Sequence, residues 1–85
     1  MTEIQRALRA LENYKKELDK SKTENVSQKV VQLFLEATIK RLKEGYYDDK
    51  LVKLQKDMTQ LGFRSYNRNS PIITSLRDVK RSFEV

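Results

Sequence analysis

The chain has no cysteine, no histidine and no tryptophan, and it holds only one proline and two glycines. Without cysteine there is no thiol nucleophile and no disulfide, and without histidine there is no imidazole base. The commonest zinc ligands go with them. A length of 85 residues lies at or below the lower edge of an ordinary domain and excludes a large catalytic fold. No residue set has the spacing of a catalytic constellation, so the expectation is a protein that is not an enzyme and takes no cofactor or metal. Long hydrophobic runs are missing too. The longest is Leu33-Phe34-Leu35, against the roughly 20 apolar residues needed to span a bilayer. Met1 is followed at once by polar, charged residues rather than by the apolar core of a signal peptide. A cytoplasmic protein with no membrane partner is expected.

What the chain does have is charge. Charged residues make up 35% of it, with a net charge of +6 and a mean hydropathy of −0.76. Such values approach those of disordered chains, but the apolar residues recur with helical period rather than at random. The fold class that follows is all-α, a small bundle of about four helices in a single domain over residues 1–85.

The first helix is expected over residues 2–20, with Ile4, Leu8, Leu11 and Leu18 on one stripe, Lys15 interrupting it and Tyr14 beside that slot. Thr2 suits the N-cap. Residues 21–25 form a polar break. The second helix, residues 26–44, has apolar residues over most of its circumference and is expected to be the central one, contacted from several sides. Gly45 suits its C-cap. A third helix is expected over residues 50–61, capped by Asp48 or Asp49, with Leu51, Leu54, Met58 and Leu61 on one face and Gly62 as its C-cap. Residues 63–69 then read as a loop. Ser70-Pro71 has the form of an N-cap followed by proline at the first helical position, and Ile72, Leu76, Val79 and Phe83 continue at helical spacing. The alternative for this end is a β-hairpin with strands at 63–66 and 72–76, favoured by the β-branched run Ile72-Ile73-Thr74.

Few residues invite chemistry. Asp48 and Asp49 are the one adjacent carboxylate pair, and capping explains them, since neighbours on a helix do not face each other and no further oxygen donor converges. Tyr14, Tyr46 and Tyr47 suit packing at the rim of a core with the hydroxyl wet. Tyr66 lies among Arg64, Asn67, Arg68 and Asn69, a set suited to phosphate and base edges.

Charge placement is more informative. Residues 1–49 hold ten basic and nine acidic side chains, whereas residues 50–81 hold eight basic against two acidic. The excess is confined to the helix–loop–helix half, residues 50–84, beside a charge-balanced scaffold half. On the fourth helix Ser70, Thr74, Ser75, Arg77 and Arg81 form a candidate reading surface, with Lys80 on its flank. Lys50 and Lys53 of the third helix, with Arg64, Tyr66 and Arg68 of the loop, complete the candidate nucleic-acid-binding set. Nine residues separate Gly62 from Ser70 inclusively, against the three or four of a helix-turn-helix, so no family assignment follows. The function expected is a small regulatory protein that binds nucleic acid, duplex DNA first, as a homodimer whose first helices associate. The alternative is a helical adaptor or inhibitor that docks on another protein through the first helix or an exposed part of the second. The two differ in what they require, because nucleic-acid binding puts Arg64, Arg68, Arg77 and Arg81 on one face, whereas an adaptor leaves Ile4, Leu8 and Leu11 outside the core.

Overall fold

The computed structural model describes residues 2–21 and 26–84. It contains four helices, α1 (Glu3–Lys20), α2 (Val26–Lys43), α3 (Asp49–Ser65) and α4 (Pro71–Phe83). No strand occurs among the described residues. The all-α bundle is therefore observed and the C-terminal hairpin is not. The polar break between α1 and α2 lies, beyond Ser21, outside the described residues.

Local chemistry sets the helix starts. The Thr2 hydroxyl accepts from the Gln5 amide at 3.2 Å, and the Gln5 side chain accepts from the Thr2 amide at 3.4 Å, which is a capping box. Asp48 caps α3 by accepting from the Leu51 amide at 3.0 Å. Ser70 caps α4 by accepting from the Ile72 amide at 3.3 Å, with Pro71 in the first turn. The end of α2 is equally local. Gly45 takes φ +89°, its amide donates to the Leu42 carbonyl and the Tyr46 amide donates to that of Arg41, both at 3.0 Å. This is a Schellman ending that needs a residue tolerant of positive φ.

The helices pack as a ring in which α1 lies against α4 and α2, and α3 lies against α2 and α4. At the α3–α4 edge, Tyr47 just before α3 stacks on Phe83 at the end of α4, with centroids 6.0 Å apart and rings 3° from parallel. At the α1–α4 edge, Arg6 near the start of α1 donates to the Ser82 carbonyl near the end of α4 at 3.1 Å. Both contacts join opposite helix ends, so α4 runs antiparallel to each neighbour. The core along the axis comprises Ala7, Leu11, Tyr14 and Leu18 from α1, Val31, Leu35 and Leu42 from α2, Leu51 and Met58 from α3, and Ile72, Leu76, Val79 and Phe83 from α4. Buried hydroxyls of Thr38, Thr59 and Ser82 donate to carbonyls of their own helices at 2.7, 2.9 and 2.6 Å, so they add no unmet polar group to that core.

Four expectations need correction. The α1 stripe takes Tyr14, wholly buried, at the slot assigned to Lys15, which is exposed. Tyr14 is therefore a core residue, not a rim one with a wet hydroxyl. The second helix is not central: α1 and α3 flank it and α4 does not. In a ring of four, each helix has two neighbours, so part of the broad apolar circumference of α2 stays at the surface, with Leu33 at 66% exposure. Finally, α3 does not stop at Leu61. It runs a turn further, through a buried Gly62, and ends at Ser65. A side chain at Gly62 would put a Cβ 2.5 Å from Leu76 Cδ2 and 3.0 Å from the Tyr14 hydroxyl. Close approach of α3 to α4, with room for the Tyr14 hydroxyl reaching across from α1, and not a chain reversal, is what this glycine provides.

Candidate nucleic-acid interface

With α3 extended, the α3–α4 connection shrinks to residues 66–70, closed by a turn in which the Ser70 amide donates to the Asn67 carbonyl at 3.0 Å. Its length now approaches that of a helix-turn-helix, yet the geometry differs. The Tyr47–Phe83 stack closes the far ends of the pair, giving an antiparallel αα-hairpin rather than two helices crossing near a right angle.

On α4 the two faces are cleanly separated. Ile72, Ile73, Leu76, Val79 and Phe83 are buried, while Thr74, Arg77, Lys80 and Arg81 are exposed. Thr74, Arg77 and Arg81 lie at i, i+3 and i+7 and share one side of the helix. Arg68 is exposed in the connection and Arg64 in the last turn of α3. The expected basic residues thus run along the length of α4, about 20 Å for its thirteen residues, rather than gathering at one point. Lys50 and Lys53 are exposed at the start of α3, about 21 and about 17 Å in helical rise from Arg64.

Two members of the expected set have structural occupations. The Ser70 hydroxyl is the α4 cap, and Ser70→Ala is expected to lower unfolding free energy by about 1 kcal/mol in a denaturant titration. Tyr66, the C-cap of α3, packs against the core, and its hydroxyl is buried without a hydrogen-bond partner. Burial raises its pKa above the ordinary value. Its ring is half-buried and not presented as a free stacking surface. Tyr46 is the converse, packed in expectation and 58% exposed in fact.

The structure also assembles a cluster that charge counting missed. Arg6, Arg9, Ala10 and Asn13 of α1 face Asp78, Arg81 and Ser82 of α4 across a groove of about 250 Å³. The overall balance of residues 1–49 hid Arg6 and Arg9. A signal was present nonetheless, since the two arginines stand three apart and so share one face of the helix. Among the described residues the one ion pair is Lys20–Glu17, at 3.8 Å, so neither Asp78 nor any other carboxylate neutralises these arginines by direct pairing.

The surfaces an adaptor or dimer would use look different. Leu11 is fully buried, and Ile4 and Leu8 are half-buried against the core. The α1 stripe is therefore taken up by α4 and α2, leaving no apolar seam on α1 for a second chain. Among the described residues the exposed large apolar side chains are Leu33, Tyr46 and Phe63, one on α2, one before α3 and one in its last turn, which falls far short of the roughly 800 Å² per partner of a stable interface. No helix among the described residues is long and apolar enough to cross a membrane. Among those residues no group of three or more histidine, cysteine, aspartate or glutamate side chains is placed to hold a metal ion. Comparison with known protein families, curated proteins and solved structures finds no match.

Proposed function

We propose that this chain is a small nucleic-acid-binding protein that lays the outer face of α4 against the phosphate backbone of a duplex, in a regulatory rather than catalytic role. The observation that carries this reading is the polarity of α4. Its apolar side is buried, and its outer side presents Thr74, Arg77, Lys80 and Arg81 to solvent together with the single acid Asp78, which is not at ion-pair distance from any of them. Like charges at i,i+3 and i,i+4, as in Arg77 with Lys80 and Arg77 with Arg81, cost a helix a few tenths of a kcal/mol each. A row of guanidiniums kept at that cost suits bidentate contacts to phosphate or guanine. The length of α4 matches about six base steps at 3.4 Å each. DNA is favoured over duplex RNA because arginines beside the backbone can also reach guanine edges in the open B-form major groove and not in the A-form one.

The test is fluorescence anisotropy of a labelled mixed-sequence DNA duplex titrated at several salt concentrations. Affinity is expected to fall steeply with salt. Each neutralised phosphate adds about 0.9 to the log–log salt slope, so Arg77→Ala with Arg81→Ala should weaken binding and flatten that slope by about 1.8. Unchanged affinity and slope in that double variant would remove α4 from the interface.

A further inference from the structure

Arg9 is the side chain that the fold does not account for. Arg6 beside it has a structural task, because its guanidinium donates to the Ser82 carbonyl at 3.1 Å. That bond meets the negative end of the α4 dipole and ties two helix ends together. Arg81 stands in the last turn of α4, where a cation is favoured. Arg9 has neither benefit. It lies beyond the first turn of α1, three residues from the like charge of Arg6, and among the described residues no carboxylate is at ion-pair distance from it. The like-charge spacing is mildly unfavourable for the helix.

The three arginines line one groove, with Asn13 on the same wall as Arg6 and Arg9, and Asp78 and Ser82 on the wall of Arg81. The lining carries three positive charges against the single carboxylate of Asp78. A planar carboxylate ligand is satisfied by one guanidinium fork. Cations delivered from two separate helices suit a tetrahedral anion, whose oxygens point in different directions. We propose that this groove holds one backbone phosphate of the bound nucleic acid, gripped between Arg9 of α1 and Arg81 of α4, with Arg6 fixed behind them by its bond to Ser82. This inference rests on the nucleic-acid reading and changes its geometry. The binding face becomes the α1–α4 edge rather than the α3–loop–α4 half, and the first helix becomes part of it.

The shared phosphate has a signature that two independent phosphates would not give. Arg9→Gln and Arg81→Gln should each weaken duplex binding roughly tenfold, the scale of one charge-assisted hydrogen bond. Each single variant leaves the other guanidinium on the phosphate, so the salt slope should change little. Because both side chains hold the same phosphate, only the double variant should lower the slope, by about 0.9 rather than by about 1.8. Lys29→Gln, the same charge change on the exposed side of α2, should leave both affinity and slope unaltered. Folding is checked by the thermal transition in circular dichroism, which Arg9→Gln should leave unchanged or raise. If wild type binds duplex and Arg9→Gln alters neither affinity nor slope, the groove is not a phosphate site, although the α4 interface stands. A slope lowered by about 1.8 in the double variant would likewise overturn the shared grip. A wild-type protein that fails to bind duplex even at low salt removes the nucleic-acid reading and this inference with it. A parallel arm exchanges chloride for inorganic phosphate at matched ionic strength. If phosphate then raises the transition of a non-binding wild type but not of Arg9→Gln, the groove takes a free anion, and its assignment to a nucleic-acid strand is wrong.

Discussion

Gly62→Ala is expected to destabilise the protein, although alanine is the best helix former and Gly62 lies inside α3. On propensity alone the change should gain about 1 kcal/mol. Against that stands geometry. The added Cβ would sit 2.5 Å from Leu76 Cδ2, 3.4 Å from Leu76 Cδ1 and 3.0 Å from the Tyr14 hydroxyl oxygen. A leucine tip can swing aside freely on a surface, but Leu76 and Tyr14 are both fully buried, so any shift must displace neighbouring core atoms. Overpacking of this kind costs about 1–3 kcal/mol, which outweighs the propensity gain. We expect a net loss of about 1 kcal/mol for alanine and about 3 kcal/mol for Gly62→Val, read from urea denaturation at pH 7. Leu76→Ala supplies the control. In that background the contacts with Leu76 disappear and only the 3.0 Å one with Tyr14 remains, so the cost of Gly62→Ala should shrink towards zero. An alanine variant at least as stable as wild type in both backgrounds would mean that α3 and α4 approach less closely at this point.

The same glycine shows how far the sequence could be read. Three of the four helix starts were legible because a cap is a local device. Thr2, Asp48 and Ser70 each reach an amide two or three residues ahead, and a side-chain oxygen before an apolar-periodic run is enough to place it. Gly45 was legible for the same reason, since its positive φ answers a turn of its own neighbours. Gly62 has the same local signature as Gly45, a glycine directly after a periodic run, and the opposite cause. Only the positions of Leu76 and Tyr14, far away in sequence, distinguish a helix end from a helix contact. Tyr14 misled in the same manner, because its hydroxyl argued for the rim while the ring was needed at the i+3 position after Leu11. The interface divided along this line as well. The exposed face of α4 follows from period alone. The Arg6–Arg9–Arg81 groove needs the pairing of α1 with α4, and a charge sum over half the chain averages that away.

Tyr14→Phe is expected to stabilise the protein at neutral pH and to flatten its loss of stability in alkali. The Tyr14 side chain is fully buried, and its hydroxyl has no hydrogen-bond partner. A buried polar group left unpaired costs about 1–3 kcal/mol, so its removal should raise the unfolding free energy by about 1 kcal/mol at pH 7. The alkaline effect has a definite sign. Burial first, and then the neighbouring Tyr66, push the Tyr14 phenol well above its ordinary value of 10.0. Below pH 10 the folded and unfolded chains both keep the proton, and the group contributes no slope. Above pH 10 the unfolded chain releases it while the folded chain holds it. The unfolded state then binds fewer protons, and stability falls by about 1.4 kcal/mol per pH unit from this one side chain. Denaturant titrations at pH 7 and pH 11 should therefore show the advantage of Tyr14→Phe growing from about 1 to about 2.4 kcal/mol. A phenylalanine variant less stable than wild type at pH 7 would mean that the hydroxyl is bonded after all. The two perturbations also meet in space. With the hydroxyl oxygen gone, a Cβ at Gly62 no longer meets an atom 3.0 Å away on the Tyr14 side. Gly62→Ala should then be milder in the Tyr14→Phe background, leaving Leu76 as the remaining obstacle.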